Sequence, residues 1–391
     1  MRVYFAPCGI GLGHVGRVMP IARKLVEKNV KLVFSTYTDG ISYVEQENFP
    51  LIKAPPIGAQ VKPDGSIDFR KTAINPGPFL ASFMLLNQIN SEIRSIEHFK
   101  PDVVVSDSRA SSLLAADVLG IPRICILNQF QPIVPRKTRL LHLARFADIV
   151  TLTLIGKIWS SVKALLIPDF PEPFTISIGN LTIPKSYRKN VKLIGPILPQ
   201  HPKQLPTKEK LRERLELPKN KPIVFVPLSG PTSEKAFITD IIRNILLDFP
   251  DEYEIVMSYG IPNADSEPIR RRNLTIYKWI PNRFEYLKAC DVVIGRAGHG
   301  TITQSMCYGK PMILIPTPGH TEQISNARQA ENIGVAKIAL QNFLSKQKML
   351  EKVRGALSNE MVEKAEQVQE EALKHDGLEN AVEEILKAAQ K

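Results

Sequence analysis

The residues best placed to do chemistry fall in two glycine-rich runs, each carrying a histidine. The first, Gly9-Ile-Gly11-Leu-Gly13-His14-Val-Gly16, follows the apolar run Val3–Pro7 and leads into an amphipathic segment. Glycines let the backbone turn sharply and approach a ligand, and a helix start beyond them presents N–H groups without partners. Gly11, Gly13 and Gly16 formally satisfy the G-x-G-x-x-G dinucleotide fingerprint, which also needs an acidic residue closing the second strand. That strand ends in Phe34-Ser-Thr36 and Asp39 lies beyond it, which argues against a nicotinamide or flavin role. Glycines serving only tight packing would leave His14 unexplained. His14 falls at a helix start and at the carboxyl end of a strand, where ligands of parallel sheets bind. The helix dipole there is expected to lower the imidazole pKa and favour the neutral, proton-accepting form, the alternative being a structural, hydrogen-bonded histidine. Asp107, ending the strand Val103–Val105 in Ser-Asp-Ser, is expected either beside His14 as an orienting carboxylate or as a cap of the next helix.

The second run, Val292-Val-Ile-Gly295-Arg296-Ala297-Gly298-His299-Gly300-Thr301, again reads strand, loop, helix. It has no lysine in the Walker frame and is not a P-loop. Its N–H groups suit a diphosphate, with Arg296 and Thr301 as added donors.

Alternating strand-like and helical runs position both loops. Val18, Ile21, Ala22, Leu25 and Val26 share one helix face, and strands are expected at Lys31–Thr36, Pro101–Asp107 and Arg123–Leu127. The pattern restarts with strands at Ile223–Pro227, Glu254–Ser258, Val292–Gly295 and Met312–Pro316. This predicts an α/β protein of two doubly wound, Rossmann-like domains, residues 1–195 and 207–391, joined by a proline-punctuated linker at 196–206, with Gln341–Lys391 as a charged helical tail.

At 43% hydrophobic and 23% charged residues the chain is not expected to be disordered. Cys8, Cys125, Cys290 and Cys307 are scattered without C-x-x-C spacing, which excludes a zinc ribbon or disulfide framework and suits a reducing cytoplasm. The opening MRVYFAP reads as a strand, so no secretory signal is expected. Residues 1–200 carry 24 basic and 14 acidic side chains, whereas residues 201–391 carry 27 and 25. The basic partner surface is therefore expected on the first half. Pro78–Leu86, Arg136–Arg145 and Ile149–Ile167 combine apolar and basic residues as interfacial segments do, though core helices with solvated basic faces would look the same. With aromatics at 7% and no recognised binding module, nucleic acid is not an expected partner.

Together with Gly309-Lys-Pro, Glu322-Gln323-x-x-Asn326-Ala and the Ile194-Gly-Pro196 exit, these segments resemble, in order and over essentially the full chain, GT-B glycosyltransferases of the family 28 type. That group includes peptidoglycan-precursor N-acetylglucosaminyltransferases and related sterol and macrolide glycosyltransferases. The resemblance implies two Rossmann-like domains facing across a cleft, the acceptor on the first and a nucleotide sugar, UDP-linked by family preference, on the second. It implies that Ser229, Gly230, Arg296, Ala297, Gly298, His299, Gly300 and Thr301 line the donor phosphates. Gln304 falls where many members have a ribose-binding glutamate, Glu322 and Gln323 match a pair contacting the sugar hydroxyls, and Ile280 lies in a segment whose backbone reads the nucleobase. Gly11 and Gly13 would form the acceptor-side loop. The implied reaction is inverting transfer of a hexose or N-acetylhexosamine, with His14 as base oriented by Asp107, to a hydrophobic or lipid-linked hydroxyl. No D-x-D occurs, so neither metal nor other cofactor is expected. The expected location is the cytoplasm, with peripheral contact on the inner face of the membrane. A nucleotide-sugar 2-epimerase or hydrolase, or a non-catalytic nucleotide-sugar-binding subunit, are the competing readings.

Overall fold

The computed structural model describes residues 1–57, 77–130, 156–181, 183, 185–228 and 230–390. Ser229 and the basic cluster Arg136, Lys137 and Arg139 lie outside them.

Seven short strands of the first half, β1 (Arg2–Pro7), β2 (Lys31–Thr36), β3 (Leu51–Lys53), β4 (Val103–Asp107), β5 (Arg123–Ile126), β6 (Ala164–Ile167) and β7 (Val191–Leu193), form one sheet. Their order is β3-β2-β1-β4-β5-β6-β7, and every pairing is parallel. The strands are continuous apolar runs because helices cover both faces. Those helices include α1 (Gly13–Glu27), α2 (Asp39–Gln46), α3 (Gly77–Phe99) and α4 (Ala110–Val118). Val18, Ile21, Ala22 and Leu25 of α1 are fully buried. Val26 shares their spacing yet is 48% exposed, since eight residues carry it about 80° round from Val18.

The second sheet holds β8 (Ile223–Pro227), β9 (Glu254–Ser258), β10 (Ile269–Arg271), β11 (Leu274–Tyr277), β12 (Val292–Gly295), β13 (Met312–Leu314) and β14 (Ala336–Ile338). Their order is β10-β11-β9-β8-β12-β13-β14, parallel except for the β10–β11 pairing. Its helices are α5 (Lys208–Arg214), α6 (Thr232–Leu247), α7 (Arg283–Ala289), α8 (His299–Cys307), α9 (Thr321–Ile333), α10 (Lys346–Ala356) and α11 (Asn359–Ala372). In both sheets the chain runs outward on one side and then resumes on the other, so each has a switch point: β1 beside β4, and β8 beside β12.

Two segments cross between the halves. The final helix, α12 (Gly377–Ala389), expected as part of a tail on the second half, packs Ala381, Val382, Ile385 and Ala388 into the core of the first sheet. Its start is close-fitted, because a Cβ on Gly377 would meet Gly195 O at 2.1 Å. Asn380 Nδ2 donates to Ile194 O at 2.8 Å and Lys192 pairs with Glu384 at 2.6 Å. Conversely, Phe170 and Ile176, expected in the first domain, are buried in the core of the second half. The proline-punctuated linker is also packed there. Lys288 Nζ donates to Pro202 O (2.7 Å) and Leu205 O (2.9 Å), and Leu198 and Leu205 are in that core.

Trp159, in a segment whose sequence leaves interfacial and core readings both open, is buried against Phe130 with ring centroids 5.8 Å apart, as the core reading has it. Phe83 and Leu86 on α3 are exposed. Among the described residues no helix is long and apolar enough to cross a membrane.

Candidate active site

The first glycine loop is shaped by close backbone packing. A Cβ on Gly9 would fall 1.9 Å from Tyr37 O, and Gly11 adopts φ +70°, a left-handed conformation that favours glycine. Gly11 N–H donates to Asp39 Oδ2 at 3.0 Å, so Asp39 fastens the loop. Gly13 opens α1, with nothing within 4 Å of where a Cβ would stand, and His14 follows it.

β4 pairs with β1 so that Pro7 stands opposite Asp107, at the first switch point. This brings His14 Nδ1 to 2.6 Å from Asp107 Oδ1. Asp107 is fully buried and His14 is 27% exposed, with Nε2 the nitrogen left for a substrate. The expected lowering of the imidazole pKa does not occur. Burial pulls it down, but the Asp107 carboxylate and its hydrogen bond outweigh burial, with Cys8 adding to them and Arg17 opposing, and the value rises to about 9. The pair is thus an imidazolium–carboxylate pair at neutral pH. Asp107 does not cap α4: the N-cap residue is Arg109, with no side-chain cap, and Arg109 N donates to Ser106 Oγ at 3.0 Å.

Across the cleft, the loop after β12 lies at the second switch point. Gly298 is the N-cap of α8, no atom lies within 4 Å of where its Cβ would be, and Thr301 N donates back to Gly298 O at 3.1 Å. Gly300 is nearly as open, its nearest atom being Gln304 Nε2 at 3.9 Å. These backbone positions suit an anion.

Several side chains expected on the donor are committed elsewhere. Arg296 is buried, donating from Nη1 to Gln341 Oε1 at 2.9 Å and from Nη2 to Thr317 Oγ1, so it braces two loops. His299 is turned away from the cleft, its Nε2 3.1 Å from the buried Asp169 Oδ2. Gln323 Oε1 accepts from Thr317 N (2.9 Å) and Oγ1 (3.1 Å). Gln304 Oε1 accepts from Arg283 Nη2 at 2.9 Å. Ala297 and the Ile280 side chain are buried in the core, as is Phe284. Thr301 lies in the first turn of α8, and Gly230 just before α6, with φ +123°. Among the described residues no three His, Cys, Asp or Glu side chains stand together as metal ligands.

Glu322 reaches the opposite wall. It does not cap α9, since His320 Nδ1 does so by accepting from Gln323 N. Instead Glu322 Oε1 accepts from Asn128 Nδ2 at 2.8 Å, and Asn128 Oδ1 accepts from Arg17 Nη2 at 3.1 Å. Other contacts close the cleft. A Cβ on Gly11 would meet Pro231 at 3.2 Å, Tyr43 meets Trp279 edge-on at 5.8 Å, and Asn263 Nδ2 donates to Ser42 O at 3.1 Å.

The sequence motifs do not single out Arg17, Asn128 or Asp169. Arg17 carries the signal of standing three residues after His14, on the same helix face. Asn128 sits just past β5, another parallel-strand end. Asp169 carries no local signal; its carboxylate accepts from Phe170 N, Ile176 N, Ser177 N and Ser177 Oγ.

Residues 220–387 match the glycosyltransferase family 28 C-terminal domain. The chain is 26% identical to an uncharacterized glycosyltransferase of Methanosarcina mazei, over 99% of this chain and 98% of that one. It is 27% identical to the UDP-N-acetylglucosamine–N-acetylmuramyl-(pentapeptide) pyrophosphoryl-undecaprenol N-acetylglucosamine transferase of Caldanaerobacter subterraneus subsp. tengcongensis, over 93% and 94% of the two chains. Among solved structures, the spinosyn rhamnosyltransferase SpnG superposes with a TM-score of 0.68 at 14% identity, over 99% of this chain and 100% of that one. Two doubly wound sheets with glycine loops at facing switch points are the GT-B architecture, and this chain has it. Its second half matches the family 28 C-terminal domain, and over nearly its whole length the chain is similar to glycosyltransferases.

Proposed function

We propose that the protein catalyses inverting, metal-independent transfer of a hexose or N-acetylhexosamine from a UDP-linked sugar to a hydroxyl of a hydrophobic or lipid-linked acceptor. The observation that carries this reading is the 2.6 Å contact between His14 Nδ1 and buried Asp107, which leaves Nε2 to take a proton. Neutral His14 accepts the proton of the acceptor hydroxyl. Its oxygen forms the new bond at the anomeric carbon while the bond to the diphosphate oxygen breaks on the opposite face, which inverts the centre. The diphosphate leaves with the electron pair, against the first-turn N–H groups and positive end of α8. Glu322 binds a sugar hydroxyl with the oxygen that Asn128 does not use.

The UDP donor is supported by the name of the Caldanaerobacter relative. A phosphate-bearing acceptor, met at the inner face of an anionic membrane, is supported by the 24 basic against 14 acidic side chains in residues 1–200. Radiolabelled nucleotide sugars supplied with and without membrane lipid extract test the reading. Release of nucleoside diphosphate should require the extract and persist at an undiminished rate in EDTA. Turnover without acceptor would instead mark an epimerase or hydrolase, and binding without turnover a non-catalytic subunit.

A further inference from the structure

The four contacts from His14 to Glu322 form one unbroken line across the cleft. Asp107 is shared, with Oδ1 2.6 Å from His14 Nδ1 and Arg17 Nη1 3.4 Å from each carboxylate oxygen. Oδ2 is buried and accepts no hydrogen bond, so the guanidinium is its facing charge. The other fork of Arg17 is held by Asn128 Oδ1 at 3.1 Å, and the amide of Asn128 is held in turn by Glu322 at 2.8 Å. Both ends of that amide are engaged, which fixes which way it points. Residues 17, 107 and 128 belong to the first wall and Glu322 to the second.

We propose that Arg17 is a positioning residue that holds the His14–Asp107 pair and, through Asn128, ties it to Glu322, so that the base is set in place only when the two walls are closed. The proposal rests on the reading of His14 as the base and adds to it a link between acceptor side and donor side. A planar guanidinium suits this position because two of its nitrogens serve two partners at once, one charged and one neutral. If the walls part, Asn128 loses Glu322, its amide turns freely, and the fork no longer bears steadily on Asp107. The charged and titratable groups facing His14 are Asp107 on β4, Cys8 after β1 and Arg17 on its own helix, with Ser108 Oγ 3.5 Å away. Arg17 is the group among them that opposes protonation of His14 by charge, so its removal or loosening raises the His14 midpoint.

The test is the His14 titration, read by NMR on protein carrying labelled histidine, without substrate, the His14 signal being assigned by its loss in His14→Gln. Arg17→Met is expected to raise the midpoint by about half a unit or more. Asn128→Ala should raise it by less, and the double variant should match Arg17→Met alone, because Asn128 acts through Arg17. Arg17→Lys keeps a charge beside Asp107 but cannot fork, so it should hold the midpoint near that of the parent and abolish the effect of Asn128→Ala. This second variant serves if Arg17→Met does not fold. An unmoved midpoint in Arg17→Met or in Asn128→Ala, or shifts that simply add, overturns the proposal. Because no turnover is measured, a protein lacking acceptor-dependent release would leave this result standing, and failure here would leave the transfer reaction intact.

Discussion

His14 ties the chemistry to one ionisation. With its pKa at about 9, roughly 1% of the imidazole is neutral at pH 7. Since only the neutral ring accepts a proton, kcat/KM should climb about tenfold per pH unit toward a plateau near pH 9, read from initial rates at subsaturating substrate. Stability runs the other way. A histidine whose folded pKa lies above its unfolded 6.5 contributes stability in full below pH 6.5 and loses it as pH rises through about 9. Denaturant midpoints should fall over the same window in which the rate rises. His14→Ala should lower kcat by about a hundredfold or more while leaving nucleotide-sugar affinity, measured calorimetrically, nearly intact. Loss of both would assign the histidine to structure. At this scale the closeness of His14 and Asp107 is legible in sequence, because both follow parallel strands whose pairing register brings them together. The partners of the Arg296, His299 and Gln323 side chains are not legible there, since a polar side chain reads the same whether it turns toward the cleft or into the protein.

The elements themselves follow from apolar periodicity, and the structure bears out strands where β1, β2, β4, β5, β8, β9 and β12 were expected. Which sheet an element joins is another matter. α12 has the alternation of any amphipathic helix, and its apolar stripe would fit either core. The choice is made by Gly377 lying against Gly195 and by Asn380 and Glu384 meeting Ile194 and Lys192. Ile385→Ala, which removes a fully buried side chain from the first core, should therefore cost about 2–5 kcal/mol in urea unfolding. A truly peripheral tail would lose a few tenths. Phe170 and Ile176 make the reverse crossing, and Asp169 anchors their turn while its carboxylate faces His299 at the head of α8. The loop after β12 is thus braced by chain from the opposite half.

Over the whole molecule, the uneven charge is an expectation about partners. Neutralising Arg136, Lys137 and Arg139 should weaken flotation with anionic vesicles and raise the KM for a lipid acceptor, with donor affinity unchanged, because the basic excess lies in the first 200 residues. Equal loss of donor affinity would show that the cluster serves folding or cleft closure instead. The sequence by itself determined the alternation of strand and helix, the two parallel sheets, the glycine loops and the histidine and carboxylate at the first switch point. These depend on local periodicity and on the rule that ligands gather at the carboxyl ends of parallel strands. Only the tertiary structure decided the direction of the His14 pKa, the inward turn of Arg296 and His299, the crossing of α12, and the line from Asp107 through Arg17 and Asn128 to Glu322. Each depends on contacts between residues tens to hundreds of positions apart, where burial and facing charge are set by how the two halves pack rather than by neighbours in the chain.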